Sequence, residues 1–180
     1  MKSLLSTCLA VALAAPVAAC ATAPKTVAEQ DDLQVRSDGA VDAMIDKDPG
    51  LEALLKDSYG FVVFPRIAKG GAIVGAAYGR GTMYVHDKFA GFVELNQGSI
   101  GAQLGGQTFA ELIVLRDRFA AEQVRTGQFS VGANVSAVAI KTGAAASTHF
   151  KDGVAVFVNP HGGLMAELSV SGQQLNFDGG

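Results

Sequence analysis

Apolar residues in the first third of the chain recur at helical spacing. Two stripes follow an i, i+3, i+4 pattern: Val41, Met44 and Ile45, then Leu51, Leu54 and Leu55. This spacing predicts helices over residues 27–59. Asp48 and Pro49 separate the two stripes. We expect the second helix to begin there, with Asp48 as its N-cap and Pro49 as its first helical residue.

From Gly60 onward, short apolar runs rich in β-branched and aromatic residues replace the helical pattern, and 20 of the 22 glycines lie in this part. Such runs between glycines predict strands. Pro65 is expected to close the first strand, because proline donates no backbone hydrogen bond. The predicted strands cover residues 60–65, 72–78, 82–85, 90–95, 99–104, 111–115, 130–140, 154–158, 165–170 and 174–177.

One helix is predicted to interrupt these strands. Asp117 can cap residues 118–125, and Gly127 then follows the last turn in the position that favours glycine. The alternative interpretation is a single helix over residues 108–125, in which Thr108 and Glu111 form a capping box.

Together these elements predict an α+β fold, with N-terminal helices packed on a mostly antiparallel, glycine-rich sheet or half-barrel. Two sequence echoes suggest an internal pseudo-repeat. Residues 60–65 with Gly70 and Gly71 resemble residues 153–157 with Gly162 and Gly163, and residues 100–104 resemble residues 131–135. Chance similarity in a glycine-rich chain is the alternative.

The first 19 residues are expected to be a signal peptide. A short positive start precedes an apolar run over residues 4–15, which is shorter than the roughly 20 residues that span a bilayer. Residues 17–20 read Val-Ala-Ala-Cys and resemble the lipobox of bacterial lipoproteins, so Cys20 is predicted to be lipidated. The alternative is ordinary signal cleavage nearby. Residues 20–26 would then be a lipidated tether and residues 27–180 a single domain.

The net charge of the chain and its distribution argue against one class of partner, nucleic acids. The chain carries a formal net charge of -3, and residues 21–60 hold nine acidic against four basic residues. Binding to nucleic acid requires a clustered surplus of lysine and arginine, which is not seen, so no nucleic-acid partner is expected.

No pattern in the chain predicts catalysis. Residues 98–101 lack the spacing of a nucleophile elbow, and residues 79–84 lack that of a dinucleotide loop. His86, His149 and His161 lack the spacing of metal ligands. We therefore expect no catalytic residue, metal or cofactor.

One polar set suggests binding of an anion. Arg66, Lys69 and Arg80 flank Gly70 and Gly71. Cationic side chains beside a Gly-Gly turn with convergent N–H groups suit a phospholipid headgroup. A solvated rim of the domain is the alternative. A neighbouring aromatic set could line a lipid groove or fill a core: Tyr78, Tyr84, Phe89 and Phe92.

Several of these stretches, in this order, resemble the SYLF domain family. The resemblance runs from about Val41 to Phe177. It is carried by residues 60–65, 69–71, 78–81, 97–107, 127–133 and 152–157, together with residues 162–164.

The resemblance implies phospholipid binding, and in fungal members of the family actin bundling. Together with the lipobox, the resemblance implies a non-catalytic, phospholipid-binding lipoprotein of the bacterial cell envelope. With Ala21 after Cys20, resemblance to Gram-negative lipoproteins implies a lipid anchor at the periplasmic face of the bacterial outer membrane. The alternative is a scaffold lipoprotein that binds another envelope protein. Eukaryotic relatives use a basic N-terminal helix, whereas this helical segment is acidic, and actin is not an expected partner in this setting.

Overall fold

The computed structural model describes residues 24–71, 74–100, 105–131, 137–161 and 172–179. Within these ranges the chain forms helices followed by a seven-stranded, mostly antiparallel sheet, which confirms the predicted α+β class. The predicted signal peptide, Cys20 and most of the tether lie outside the described residues. No helix in the described ranges is both long enough and apolar enough to cross a bilayer.

Helix α1 spans Val27–Lys47 and helix α2 spans Gly50–Asp57. Thr26 begins α1 with a capping box. The Glu29 backbone N–H donates to Thr26 Oγ1 at 3.2 Å, and the Thr26 N–H donates to Glu29 Oε2 at 3.4 Å. Such reciprocal bonds satisfy N–H groups that lack partners within the helix. The predicted helical region is therefore confirmed as two helices.

The junction between α1 and α2 differs from the prediction by one residue. Pro49 is the N-cap of α2 and Asp48 is the C-cap of α1. Asp48 is buried, and its carboxylate accepts backbone N–H groups from Gly50, Gly143 and Ala145 at 3.3, 3.2 and 2.7 Å. Asp48 is therefore not the N-cap of α2, and its carboxylate binds backbone N–H groups from a distant part of the chain. That part contains a short helix, α4, at Ala144–Ser147.

The strands are longer than predicted. They are β1 Gly60–Gly71, β2 Val74–Val85, β3 Lys88–Ile100, β4 Gly105–Leu115, β5 Ala137–Ala139, β6 Val154–Pro160 and β7 Gln173–Asp178. Their order in the sheet is β5-β6-β4-β1-β2-β3-β7, and only β5 and β6 pair in parallel. The predicted repeat over residues 60–65 and 153–157 falls at β1 and β6, which flank β4.

Three boundary predictions were wrong. Pro65 does not close β1, because the register shifts around Phe64 and Pro65 and the strand continues to Gly71. Such a bulge tolerates a residue without an N–H group. The strands predicted at residues 72–78 and 82–85 are one strand, β2, and residues 90–95 and 99–100 both belong to β3.

Helix α3 spans Arg118–Arg125, as the first interpretation predicted. Asp117 Oδ1 accepts from the Ala120 N–H at 3.0 Å, and Gly127 has φ +67°. The alternative helix over residues 108–125 is wrong, because Thr108 and Glu111 lie in β4. Of the predicted strand 130–140, residues 130–131 and 137–140 are described. Ser130 bridges to Gln174, and β5 covers Ala137–Ala139. The predicted strand 165–170 lies outside the described residues.

The sheet is strongly curved. Gln173 Nε2 in β7 donates to Glu111 Oε2 in β4 at 2.9 Å, although β1, β2 and β3 lie between these strands. Four strand spacings in a flat sheet would separate them by roughly 19 Å. Val131 exchanges backbone hydrogen bonds with Gly172 and Gln173 at the β7 edge, and β5, a few residues further along the chain, pairs with β6 at the other edge.

Curvature gives the sheet a concave and a convex face with separate cores. The concave core includes Phe64, Ile67 and Phe109 from the sheet and Val124 from α3. The convex core joins the sheet to α1, α2 and α4 through residues such as Met44, Leu51 and Phe157.

Helix α1 crosses the strands on the convex face. Near its start Pro24 lies beside β3 and β7, in its middle Asp38 accepts from the Tyr84 hydroxyl at 2.6 Å, and at its end Lys47 donates to Asn159. A 21-residue helix is roughly 32 Å long, enough to cross from β7 to β6. The C-terminal half of α1 therefore covers the central strands of the sheet.

Candidate functional site

The predicted basic set is divided between the two faces of the sheet. Arg66 in β1 pairs in register with Arg80 in β2, and both side chains lie on the convex face. Lys69 is only 5% exposed and lies on the concave side with Ile67. Alternate residues of a strand point to opposite faces, so Arg66 and Lys69 cannot contact one headgroup from the same side.

Gly70 and Gly71 are the last two residues of β1 and do not form the turn. They pair with Ala76 and Gly75 of β2 on one side and with residues 105–106 of β4 on the other. Their position within three paired strands argues against the predicted pair of convergent N–H donors.

Arg80 lies in a polar row on the convex face. It stands opposite Glu94 of β3, and both side chains act on the hydroxyl of Tyr78. Burial raises the pKa of Tyr78, and the Glu94 carboxylate raises it further, whereas Arg80 lowers it. Arg80 therefore belongs to a tyrosine–carboxylate group next to Arg66.

A pocket of about 600 Å³ lies between α1 and the convex face. Its helical wall consists of Arg36, Gly39, Ala40 and Ala43. The small side chains of three of these residues keep space open between helix and sheet. A Cβ placed on Gly39 would meet nothing within 4 Å among the described residues.

The sheet supplies the opposite wall from three strands and the residue that follows β6: Pro65, Arg66, Thr108, Ala110, Asn159 and His161. Polar contacts fix two of these side chains. His161 Nε2 lies 3.0 Å from the Pro65 carbonyl oxygen, which can only accept, so Nε2 carries the proton. Lys47 Nζ donates to Asn159 Oδ1 at 2.6 Å.

The charge around the pocket is positive, although α1 is an acidic helix. Arg36 and Arg66 provide two guanidinium groups, and no acidic residue is among the described lining residues. Arg36 pairs with Asp32 at 2.6 Å, but both side chains are more than half exposed. Ion pairs exposed to this extent contribute little and exchange readily. The pocket therefore suits an anionic group attached to an apolar body.

Sequence reasoning identified only Arg66 among the pocket residues. One further signal was present, because Arg36, Ala40, Ala43 and Lys47 recur at i, i+4, i+7 and i+11 on one face of α1. Asn159 and His161 gave no signal, since they reach the pocket only through the pairing of β6 with β4.

Most of the predicted aromatic set packs together. Tyr84 stacks on Phe61 with ring centroids 4.9 Å apart, and Phe89 contacts Phe92 at 5.1 Å. Burial and the hydrogen bond to Asp38 raise the pKa of Tyr84 to about 12. Tyr78 stays 38% exposed. Packing, rather than a groove, accounts for Tyr84 and Phe92.

The described residues include no group of three or more histidine, cysteine, aspartate or glutamate side chains placed to hold a metal ion. The three histidines lie in different surroundings. His86 contacts the Tyr59 ring, His149 lies beside Phe150, and His161 lies in the α1 pocket.

A curved, mostly antiparallel sheet with a helix across its convex face, and a cationic pocket between helix and sheet, define the α+β architecture of the described residues. Residues 96–179 match a family model described as Ysc84, a Las17-binding protein actin regulator. This is the SYLF domain family, so the resemblance is confirmed for this part of the chain. Members of the family bind lipids or actin-associated partners. The comparison with curated proteins finds no match.

Proposed function

We propose that this chain is a non-catalytic phospholipid-binding lipoprotein of the bacterial cell envelope. Its lipid anchor is Cys20, and it resides at the periplasmic face of the outer membrane. The headgroup binds in the α1 pocket between Arg36 and Arg66. The observation that carries the proposal is this pocket, which combines two guanidinium groups with walls of small apolar side chains.

The chemistry of the pocket matches a phosphodiester better than a fully polar anion. Guanidinium groups bind phosphate oxygens through paired N–H donors. Gly39, Ala40, Ala43 and Ala110 offer apolar contact to the carbon atoms next to the phosphate. A volume of about 600 Å³ lies within the range of small-molecule sites and holds a headgroup with the first part of its acyl chains.

This proposal revises the predicted headgroup set. Arg66 stays in the site, and Arg80 neighbours it on the same face. Lys69, Gly70 and Gly71 are left out, because Lys69 faces the concave side and the two glycines lie within the sheet.

Filling the pocket tests the site without removing a charge. We expect Gly39→Phe to reduce vesicle binding at least tenfold, because its ring would occupy the space that the ligand needs. The matched control, Gly39→Ala, adds one methyl group at the same helical position and should bind normally. Cosedimentation with phosphatidylglycerol vesicles, in a Cys20→Ala background that lacks the anchor, measures both variants. Equal binding by Gly39→Phe would place the ligand elsewhere.

Charge reversal tests the cationic rim. The double variant Arg36→Glu with Arg66→Glu should lose binding to the same vesicles at low salt by roughly tenfold or more, since each arginine contributes a charge-assisted contact. Arg118→Glu on α3 is the control, because Arg118 is exposed and lies outside the pocket lining. Losses of the same size in both would indicate a general charge effect.

A scaffold role is the second candidate function. The description of the matched family names a protein-binding regulator, which favours a protein partner in the envelope. Failure of the chain to bind anionic and zwitterionic vesicles alike would contradict the lipid-binding proposal and favour the scaffold. The anchor is tested separately by intact mass, since a lipidated Cys20 adds a diacylglycerol group.

A further inference from the structure

Glu111 is a fully buried acid in the middle of the concave face. It is 0% exposed, and it lies on β4 between the core residues Phe109 and Ile113. An ionised carboxylate in such surroundings is costly unless several groups compensate its charge. The partners of Glu111 therefore decide which protonation state the folded chain prefers.

Gln173 is the hydrogen-bond partner of Glu111, and it also is 0% exposed. Its Nε2 donates to Glu111 Oε2 at 2.9 Å. Each of the two side chains has a second oxygen, Glu111 Oε1 and Gln173 Oε1, that is buried and has no hydrogen-bond partner among the described residues. Two acceptors cannot satisfy each other unless one of them carries a proton.

Protonation of Glu111 would give both buried oxygens a hydrogen-bond partner. A carboxylic acid and a primary amide can form two reciprocal hydrogen bonds, in which the amide N–H donates to one carboxyl oxygen and the carboxyl O–H donates to the amide oxygen. The first of these bonds is present between Gln173 and Glu111. The second would join the two remaining buried oxygens, Glu111 Oε1 and Gln173 Oε1, once Glu111 carries a proton.

One charged side chain among the described residues affects the ionisation of Glu111. This side chain is that of Lys69 on β1. Burial raises the pKa of Glu111 to about 7, against smaller lowering effects of the Gln173 hydrogen bond and the Lys69 charge. Apolar residues of the same core come from β6, α3 and residues 129–131, and the buried Gln97 of β3 pairs in register with Gln173.

We propose that Glu111 binds a proton that it shares with Gln173, so that a carboxylic acid–amide pair joins β4 to β7 across the concave face and weakens when the proton leaves. The proposal is independent of the lipid-binding function, because Glu111 lies on the face opposite the α1 pocket.

The sign of the pH dependence follows from the raised pKa. Because the folded chain holds this proton more tightly than the unfolded chain, stability from this group is complete below about pH 4.5 and declines up to about pH 7. Between pH 5 and pH 8 the ratio of folded to unfolded chain should fall roughly 70-fold through this group.

The experiment follows the Glu111 carboxyl carbon by NMR in the intact chain and measures urea unfolding from pH 5 to pH 8. A midpoint near 7 is expected, whereas a midpoint below about 5.5 would overturn the proposal. Glu111→Gln should flatten the decline in stability. The matched control, Glu94→Gln, replaces a buried glutamate on the convex face and should keep the decline.

An unchanged decline in Glu111→Gln would also contradict the proposal. Should Glu111→Gln fail to fold, the NMR midpoint of the unmodified chain decides alone. Amide exchange in β7, corrected for its intrinsic pH dependence, adds a local measurement, and protection there should fall above pH 7.

Discussion

Gly81 is a residue whose missing side chain lets two strands approach. A Cβ placed on it would collide with the Val63 carbonyl oxygen and lie 2.7 Å from a ring carbon of Phe64. Both obstacles belong to the buried centre of β1, next to the bulge that Pro65 occupies. Gly79 has a similar contact with Ile67. Gly79 and Gly81 therefore allow the backbone of β2 to approach β1 more closely than a residue with a side chain would.

We predict that Gly81→Ala lowers the free energy of unfolding by roughly 1–3 kcal/mol, because an added methyl group overpacks the β1–β2 contact. Gly98→Ala is the control, since a Cβ there meets nothing within 4 Å among the described residues. Urea unfolding monitored by circular dichroism measures both. An unchanged free energy of unfolding in Gly81→Ala would contradict the prediction, because β1 would then move to accept the methyl group without loss of stability.

The alternation of side chains along a strand determines on which face of the sheet Lys69 and Arg66 lie. Residues three apart on one strand face opposite sides, so the sequence already contained the separation of these two cations. The prediction missed it because it ended the first strand at Pro65 and placed both residues in a loop. Only the pairing of β1 with β2 and β4 reveals that the strand continues past the proline.

At the scale of elements, Asp48 connects three segments. Its carboxylate accepts N–H groups from the start of α2, from the N-cap residue of α4 and from Ala145 within α4, which lies more than 90 residues further along the chain. These hydrogen bonds, led by that from Ala145, lower the pKa of Asp48 despite burial. Since α2 and α4 pack on the same part of the convex core, Asp48 fixes their relative position.

We predict that Asp48→Ala destabilises the protein by roughly 1–3 kcal/mol at pH 7, because it leaves buried N–H groups without an acceptor. With a lowered pKa, the carboxylate contributes fully above its usual pKa and loses its contribution as the pH falls below that value. The difference between Asp48→Ala and the unmodified chain should therefore shrink toward pH 2. Thermal unfolding at pH 7 and pH 2.5 measures it, with the exposed Asp46→Ala as control.

Elements whose ends carry capping residues could be predicted from the sequence. Strands whose apolar pattern is interrupted by glycine could not. Asp117 and Gly127 marked both ends of α3 correctly. Strand β2 was split in two because Gly79 and Gly81 resemble turn residues, although they are required by contacts with β1. The sequence of a strand does not distinguish a glycine that turns the chain from one that admits a neighbour.

At the scale of the whole molecule, the α1 pocket could not be derived from sequence. Its polar residues come from widely separated parts of the chain: Arg36, Arg66, Thr108, Asn159 and His161. They meet because α1 crosses the strands while β1 and β4 pair. Periodicity predicts the helix and the sheet, but neither the crossing nor its position along the sheet.

Deletion of residues 173–178 should affect the whole molecule. The deletion removes β7 and exposes the outer edge of β3, which then has unpaired N–H and C=O groups. We predict self-association, measured by sedimentation velocity. The control is Asn176→Ala, an exposed position within β7 that should stay as monodisperse as the unmodified chain. A monomeric deletion variant would show that β3 is protected in another way.

The sheet order also has a consequence for synthesis. Strands β1, β2 and β3 can pair as soon as they are made, whereas β7 follows its partner β3 by roughly 80 residues. During that interval the edge of β3 is open to other chains, a known route to aggregation. We therefore expect the β3 edge of a newly made chain to stay exposed until β7 has been synthesised and pairs with it.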